Sequence, residues 1–374
     1  MLRPRKAIER LQDYHPPQEG RAEFVRLDFN ENTVGCSPAV VQSLRRVISR
    51  GWLASYPEYQ ESRATLARHF GVAPAETIMT NGVDDAIKLI CDTFVEPGEG
   101  LVIPSPTFAM YQFFQTVSGG EVRLVRYDEK MGLPPERVIA AINRKTRWVA
   151  LANPNNPTGT LIPKSGIKKI LEARPEALIF IDEAYFDFSN QTVLPWIRKY
   201  PNLLVGRTFS KAFGLAGLRT GFLFGNSRLI ELLRRAHAVF AVNSMALAAG
   251  VEAIKHMRYV DRYAKMIVKN RESFSKALGR RGIAHLPSAA NFILARMGAR
   301  APLIARRLRQ AGILVRDWNH DPQLRKYLRI TIGTKTQMSR LAVELKRLEH
   351  LIETQSGESP WQDLASGSPA EHFP

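Results

Sequence analysis

The sequence reads Thr208-Phe209-Ser210-Lys211-Ala212-Phe213-Gly214 shortly after the apolar run Leu203-Leu204-Val205. A lysine that follows a buried strand and is flanked by hydroxyl and small side chains is partly desolvated. Desolvation keeps the amine nucleophilic, as imine chemistry requires. For a lone lysine, a solvated position in a loop is the simpler interpretation. The role of Lys211 therefore has to be inferred from the other segments that we expect to lie near it.

The first of these segments is Asp182-Glu183-Ala184-Tyr185, which follows the apolar run Leu178-Ile179-Phe180-Ile181. A carboxylate at the carboxyl end of a parallel strand points into the crevice where open α/β sheets bind ligands. There, Asp182 could pair with a protonated ring nitrogen. An N-cap to the next segment explains this aspartate equally well in isolation.

A second segment, Asn153-Pro154-Asn155-Asn156-Pro157-Thr158-Gly159, also ends an apolar run. Two prolines and a glycine fix a turn, and an asparagine amide held by that turn can donate to a ring oxygen. The segment could equally be a turn without a ligand. Polar groups at three successive strand ends nevertheless favour one shared site.

A glycine turn, Thr80-Asn81-Gly82-Val83-Asp84-Asp85, opens a predicted helix over 84–94. The free N–H groups and the dipole at a helix N-terminus favour an anion such as a phosphate monoester. Helix capping alone accounts for the same residues.

Short apolar runs alternate with helical patterns between residues 80 and 225, which predicts an α/β fold with a large, mostly parallel, helix-covered sheet. Residues 228–278 read as continuous helix. The β-like runs after them, with a helix at 301–311, predict a smaller α+β domain. Residues 357–374 are rich in Ser, Gly and Pro, and we expect a disordered tail.

Composition excludes several classes of protein. No apolar run is long enough to cross a membrane, and the N-terminus lacks the apolar stretch of a signal peptide. With only Cys36 and Cys91, a disulfide framework is excluded and a cytoplasmic location is expected. The net charge of +18 does not form one helical stripe, so it favours steering of anionic substrates over nucleic acid. The scattered histidines predict no metal site.

Taken together, these segments resemble the fold-type I aminotransferases, which depend on pyridoxal 5′-phosphate, and most of all the histidinol-phosphate aminotransferase family. The resemblance runs from about Tyr14 to Thr334. It also rests on further motifs: Leu27-Asp28-Phe29-Asn30-Glu31-Asn32, Tyr56-Pro57, Pro106-Thr107-Phe108 and Leu328-Arg329-Ile330-Thr331-Ile332-Gly333-Thr334. It implies an N-terminal arm over 1–40, a large cofactor-binding domain over 41–255, a small domain over 256–355 and the tail over 356–374.

The resemblance also implies a role for individual residues. Lys211 would hold the cofactor as an imine, and Asp182 would hold its protonated pyridine nitrogen. The other expected cofactor contacts are Asn156 and Tyr185 at the 3′ oxygen, Phe108 on the ring, Gly82, Val83, Asp84, Thr208, Ser210 and Arg219 at the phosphate, and Tyr56 from the partner subunit of a homodimer. Lys211, Asp182 and Tyr185 would form the catalytic set.

For the substrate, the resemblance implies that Arg329 binds a carboxylate. Arg316 could supply the second fork that a phosphate requires, unless it forms a surface ion pair with Asp317 or another neighbour. Tyr14 and Asn32 complete the predicted substrate site. The family usually has tyrosine in place of Phe108 and Gly-Ser-Asp-Glu in place of Gly82-Val83-Asp84-Asp85. Both departures preserve the cofactor chemistry.

The predicted reaction is amino transfer between histidinol phosphate, or a related aromatic amino substrate, and 2-oxoglutarate. Aromatic amino acid aminotransferases and threonine-phosphate decarboxylases share much of the pattern, so both remain alternatives. A non-catalytic ligand- or DNA-binding protein of this fold is a further one, although Lys211 is present and no helix-turn-helix segment precedes Tyr14. We expect no nucleic-acid or membrane partner.

Overall fold

The structure is a computed structural model that describes residues 2–9, 11, 20–319, 321–353 and 361–366. The strands are β1 (Val25–Leu27), β2 (Thr77–Asn81), β3 (Gly100–Ser105), β4 (Glu121–Arg126), β5 (Thr146–Ala152), β6 (Leu178–Asp182), β7 (Leu203–Thr208), β8 (Thr220–Gly225), β9 (Phe292–Arg296), β10 (Ile313–Val315) and β11 (Tyr327–Thr331).

The helices are α1 (Lys6–Glu9), α2 (Pro38–Val47), α3 (Arg50–Ala54), α4 (Gln60–Phe70), α5 (Gly82–Phe94), α6 (Met110–Val117), α7 (Pro135–Ala141), α8 (Lys164–Ala173), α9 (Phe186–Ser189), α10 (Ser227–Ala236), α11 (Ser244–Lys255), α12 (Met257–Arg280), α13 (Ala301–Gln310), α14 (Lys335–Arg347) and α15 (Gln362–Ser366). Short 3-10 turns occupy Pro74–Glu76, Leu194–Arg198, Ala216–Leu218 and Glu349–Leu351.

Seven strands form the large sheet, in the order β2-β8-β7-β6-β5-β3-β4. β8 is antiparallel to both of its neighbours, and the other adjacent pairs are parallel. Every residue of β6 is buried, because the sheet is covered on both faces. Ile179 and Ile181 join one core cluster, whereas Leu178 and Phe180 join the other. The predicted fold class, with a large and mostly parallel sheet, is confirmed.

The remaining strands form two small pairs. β1 is parallel to β10, and β9 is antiparallel to β11. A bridge between Arg316 and Arg329 joins the two pairs at the end of β10. Helices α12 and α13 pack on these strands, as expected for a small α+β unit. The exact domain boundaries stay predictions.

Two local predictions differ from the structure. The helical pattern of 228–278 is three helices instead of one: α10 ends at Ala236, and α11 begins after Asn243, whose side chain caps it by accepting from the N–H of Ala246. Strand β2 was not predicted, because a five-residue run with two threonines and an asparagine lacks a clear apolar pattern.

Part of the segment that we expected to be a disordered tail is ordered. Residues 361–366 include the short helix α15, whose Leu364 is fully buried. A single apolar side chain that enters the core can order a polar segment, and composition does not reveal it. The rest of the predicted tail beyond residue 353 lies outside the described residues. Within the described ranges, no helix is both long and apolar enough to cross a bilayer.

Candidate active site

A cavity of about 360 Å³ lies at the carboxyl ends of β3, β5, β6 and β7. This is where open parallel sheets bind their ligands. The cavity brings together twelve of the predicted site residues: Val83, Asp84, Phe108, Asn156, Asp182, Tyr185, Thr208, Ser210, Lys211, Arg219, Arg316 and Arg329. Arg316 and Arg329 follow Lys211 by 105 and 118 residues and lie on the small strand pairs, so the large sheet and the small unit both line the cavity.

Lys211 lies just after β7 and faces the cavity. Its Nζ donates to the carbonyl oxygen of Phe29 at 3.2 Å and lies 5.7 Å from the centre of the Tyr185 ring. Burial of the ammonium group, followed by the nearby Arg329 guanidinium, lowers the pKa of Lys211 to about 8. A substantial fraction of neutral amine is therefore available near neutral pH, which a nucleophilic lysine needs.

Asp182 ends β6 and is buried. One carboxylate oxygen accepts from the Tyr111 hydroxyl at 2.7 Å, and the other accepts from the N–H of Ala184 at 2.9 Å. Burial raises the pKa of Asp182 to about 6, while these two hydrogen bonds act in the opposite direction. A buried carboxylate without a cationic partner is costly, so the site is suited to a protonated ring nitrogen.

Within the described residues, the donor groups of Asn156 and Tyr185 are left available for a ligand. The Asn156 oxygen accepts from Arg329 at 2.6 Å, which leaves its amide N–H group as donor. The Tyr185 oxygen accepts from the amide of Asn30 at 2.9 Å, so the Tyr185 proton can be donated elsewhere. The turn that carries Asn156 is fixed by Asn155, whose amide donates to Thr158 at 2.8 Å.

The predicted phosphate end combines hydroxyl groups, a cation and a helix start. The Thr208 and Ser210 hydroxyls lie 2.9 Å apart, and Arg219 forms an ion pair with Asp84 at 2.8 Å. Asp84 thus contacts the cation, which places it beside the anion site as a partner of Arg219. Gly82 begins α5 with a φ of +81°, a conformation that favours glycine.

Side-chain size is restricted around this helix start. A Cβ at Gly82 would lie 2.6 Å from the guanidinium of Arg219, and a Cβ at Gly221 would lie 2.5 Å from the backbone of Gly82. Two glycines therefore let the start of α5 approach β8 and Arg219 closely, so that its N–H groups and the guanidinium can share one anion.

Arg329 and Arg316 face the cavity from neighbouring strands of the small unit. The two terminal nitrogens of Arg329 donate to Asn156 and to the carbonyl oxygen of Asp28, each at 2.6 Å. Its guanidinium and that of Arg316 lie 5.6 Å and 5.9 Å from the ring of Trp318. The cavity thus holds two adjacent cations fixed by aromatic and backbone contacts.

Phe108 lines the cavity above Tyr111, with ring centres 5.7 Å apart in an edge-to-face arrangement. Its apolar face can stack on a planar ring, as we predicted. Val83 also lines the cavity and offers only its backbone N–H as a donor, because its side chain is apolar.

Among the described residues, three predicted site residues do not line this cavity: Gly82, which lies beside it at the start of α5, Asn32 and Tyr56. Asn32 uses both ends of its amide locally: it donates to Ala212 and accepts from Val34 and Gly35. It holds a loop beside Lys211 and is not among the lining residues, so its role toward the substrate stays a prediction. Tyr56 is exposed and stacks on Phe240, and Tyr14 lies outside the described residues.

The residues that the sequence prediction missed at this site include Tyr111, Asn30, Trp318 and Gln323. Tyr111 contacts Asp182, whereas Asn30 and Gln323 line the cavity. Asn30 lies in the motif from which we chose Asn32, and its left-handed backbone, with a φ of 56°, turns its side chain inward. A tyrosine three residues after Phe108 was a signal that helical spacing could have provided.

The polar groups that line or border the cavity fit pyridoxal 5′-phosphate. A buried carboxylate suits its pyridinium nitrogen, a lysine of lowered pKa suits its aldehyde, and the glycine-lined helix start beside Arg219 suits its phosphate. The side chains of Asn156 and Tyr185 can donate to its ring oxygen.

Comparisons with known proteins agree with this arrangement. The sequence profile of the family Aminotransferase class I and II matches residues 22–345. Histidinol-phosphate aminotransferase 2 from Carboxydothermus hydrogenoformans is 33% identical over 364 residues, which cover 93% of this chain and 99% of the relative.

Two solved structures are similar in fold. Histidinol-phosphate aminotransferase from Sinorhizobium meliloti, solved in complex with pyridoxal-5′-phosphate, has a TM-score of 0.85 at 26% identity and covers 94% of this chain and 98% of its own. L-threonine-O-3-phosphate decarboxylase from Porphyromonas gingivalis has a TM-score of 0.76 at 25% identity, covering 87% and 99%. The chain therefore belongs to the aminotransferase class I and II family and is a fold-type I, pyridoxal-phosphate-dependent enzyme.

Proposed function

We propose that the enzyme transfers an amino group between histidinol phosphate, or a related aromatic amino substrate, and a 2-oxo acid such as 2-oxoglutarate. The observation that carries this proposal is the meeting of Lys211 and Asp182 with two adjacent arginines, Arg316 and Arg329, in one cavity. The relative from C. hydrogenoformans, named for histidinol phosphate, supports the choice of substrate.

When bound, pyridoxal phosphate acts as an electron sink that stabilises negative charge at the substrate α-carbon. Asp182 would hold the protonated pyridine nitrogen, because its carboxylate is buried and held by Tyr111 and Ala184. Asn156 and Tyr185 would donate to the ring oxygen, and Phe108 would cover a ring face. These residues would hold the ring at the carboxyl edge of the sheet.

Lys211 has two tasks. It would hold the cofactor through its amine, and with an amino substrate bound that amine would accept the proton from the substrate α-carbon and later return it. A pKa near 8 allows one group to accept and to return that proton at neutral pH. The carbonyl oxygen of Phe29, 3.2 Å from Nζ, orients the amine.

The substrate anion is assigned to the two small-domain arginines. Arg329 can bind a carboxylate with its planar fork, and Arg316 beside it adds the second cation that a phosphate dianion requires. One pocket can then accept both a phosphorylated amino alcohol and glutamate. The aromatic side chain of Trp318 keeps both guanidinium groups in place.

We further propose that the enzyme is a cytoplasmic homodimer. Four large apolar side chains are exposed, and they form two pairs that are close in sequence: Leu53 with Tyr56, and Val239 with Phe240. Tyr56 and Phe240 stack with ring centres 4.4 Å apart. A partner subunit would cover this surface, and its Tyr56 would reach the phosphate end of the neighbouring cavity.

The test mixes cofactor-loaded enzyme with histidinol phosphate, phenylalanine or glutamate and follows the visible absorbance of the cofactor. We expect histidinol phosphate to change the spectrum at the lowest concentration and glutamate to appear when 2-oxoglutarate is added. If phenylalanine reacts well and histidinol phosphate does not, the aromatic amino acid alternative replaces this proposal.

A threonine-phosphate type of decarboxylation is the second candidate, because a decarboxylase is among the similar structures. Carbon dioxide release from threonine phosphate without formation of any new amino acid would favour it. Stoichiometric amino transfer without carbon dioxide would reject it.

A further inference from the structure

The segment that contains α15, residues 361–366, packs against the small unit although it lies beyond the match to the family profile, which ends at residue 345. Leu364 is fully buried in the larger core cluster. The ring of Trp361 stacks on that of Tyr327, with centres 6.3 Å apart and an angle of 23° between the ring planes. We call residues 361–366 the C-terminal segment.

The C-terminal segment contacts the cavity wall at the side chain of Gln323. The amide nitrogen of Gln323 donates to the carbonyl oxygen of Leu364 at 2.7 Å. The amide oxygen of the same side chain accepts from the Ser105 hydroxyl at 3.1 Å. Ser105 ends β3 of the large sheet, so Gln323 links the C-terminal segment to the carboxyl edge of that sheet.

Gln323 and Ser105 both line the cavity, together with Leu324 and Trp318. The turn that carries Gln323 is held by Asp321, which accepts from the N–H groups of Gln323 and Leu324. Trp318 in turn faces the two guanidinium groups assigned to the substrate anion.

Removing Leu364 would leave the amide nitrogen of a buried glutamine without its acceptor. Gln323 is only 4% exposed while the segment is in place, and removing the segment would uncover its amide nitrogen and let water replace the acceptor. A side chain that donates to exchanging water is no longer held in one position, so its bond to Ser105 would weaken and the wall around Trp318 and Leu324 would loosen. The cofactor contacts of Lys211 and Asp182 belong to the large sheet and would keep their geometry.

We propose that the C-terminal segment is a positioning element for substrate: through Gln323 it fixes the cavity wall against which the amino substrate binds. This inference rests on the proposed function, since it assigns the wall to the amino substrate. Gln323 acts here as a positioning residue, because its bonds join two parts of the protein.

The test compares three forms of the cofactor-loaded enzyme: the full chain, a chain that ends at Ser366 and a chain that ends at Glu353. We expect the chain ending at Ser366 to match the full chain. The chain ending at Glu353 should show a roughly tenfold higher KM for histidinol phosphate, the loss expected for one buried hydrogen bond, with kcat and cofactor affinity within about twofold.

The Gln323→Ala substitution distinguishes a specific effect through the Gln323 side chain from a general loosening of the small unit. If the segment acts through Gln323, this substitution raises KM in the full chain, and shortening it to Glu353 adds little more. Additive effects, or an unchanged KM in the chain ending at Glu353, would overturn the proposal. Should that chain fail to fold, Leu364→Asp in the full chain carries the same test: the acceptor is the backbone carbonyl of residue 364, and a carboxylate at this buried position would displace the whole segment from Gln323.

Failure of the proposed function gives a different result. In that case the full chain itself fails to react with histidinol phosphate or any other amine, whereas failure of the positioning role leaves a reactive full chain with an unchanged KM on truncation.

Discussion

Tyr111→Phe tests how the protein controls the charge of Asp182. The substitution removes only the hydroxyl that donates to the Asp182 carboxylate at 2.7 Å. A hydrogen bond to a charged acceptor contributes about 1.5–3 kcal/mol, and about 1.4 kcal/mol corresponds to one pKa unit. The pKa of Asp182 in the cofactor-free enzyme, now about 6, should rise by about 1–2 units.

The consequence depends on pH. Pairing with a pyridinium requires the ionised carboxylate, so cofactor affinity follows the ionised fraction of Asp182. Compared with the natural enzyme, the variant should bind pyridoxal phosphate about 2- to 10-fold more weakly at pH 7 and about 5- to 50-fold more weakly at pH 6. The two enzymes should converge near pH 9, because the carboxyl group is ionised in both.

The assay is an absorbance titration of cofactor-free enzyme with pyridoxal phosphate at several pH values. The matched control is Tyr263→Phe, which removes a buried hydroxyl that accepts from the N–H of Thr33, outside the cavity. It should show no pH-dependent change. A Tyr111→Phe effect that is the same at every pH would refute the role in ionisation and leave a structural one.

Three further predictions follow from the site. Covalent uptake of the cofactor should accelerate roughly tenfold per pH unit up to pH 8 and then level off, because the pKa of Lys211 is about 8 and only the neutral amine attacks; stopped-flow absorbance that is flat with pH would contradict this. Gly221→Ala should lower the free energy of unfolding by about 1–3 kcal/mol and weaken cofactor binding, because its Cβ would meet backbone at 2.5 Å. Gly217→Ala is the control, since a Cβ there would meet nothing within 4 Å, and urea melts that show equal losses would reject the argument. Asp182→Asn should abolish amino transfer. It should also remove a pH-dependent loss of stability. Burial raises the pKa of Asp182 in the folded protein to about 6, so the free energy of unfolding of the cofactor-free natural enzyme falls by about 2–3 kcal/mol as pH rises from about 4 to about 6. Urea melts of the two proteins that run parallel across this range would contradict the prediction.

The residues at the strand ends could be predicted from sequence, since an apolar run followed by a polar turn identifies a buried strand and its carboxyl edge. This pattern predicts that Lys211, Asp182 and Asn156 lie close together, and all three line the cavity. The geometry of a parallel sheet makes such residues neighbours whatever their separation along the chain.

Contacts that depend on backbone direction or on packing between distant segments were not predictable in the same way. Asn30 enters the site because its backbone is left-handed, whereas Asn32, two residues later, is used in a turn. Gln323 matters through its contacts with Ser105 and Leu364, from two distant parts of the chain. Sequence spacing does not encode such contacts.

The central claim is that Lys211 binds the cofactor covalently, and one measurement tests it most directly. Cofactor-loaded enzyme is reduced with borohydride and digested, and the peptides are mapped by mass spectrometry. We predict the pyridoxyl group on the peptide that contains Lys211, and its absence from Lys211→Ala enzyme treated in the same way. A pyridoxyl group on another lysine of the natural enzyme, or none at all, would contradict the account.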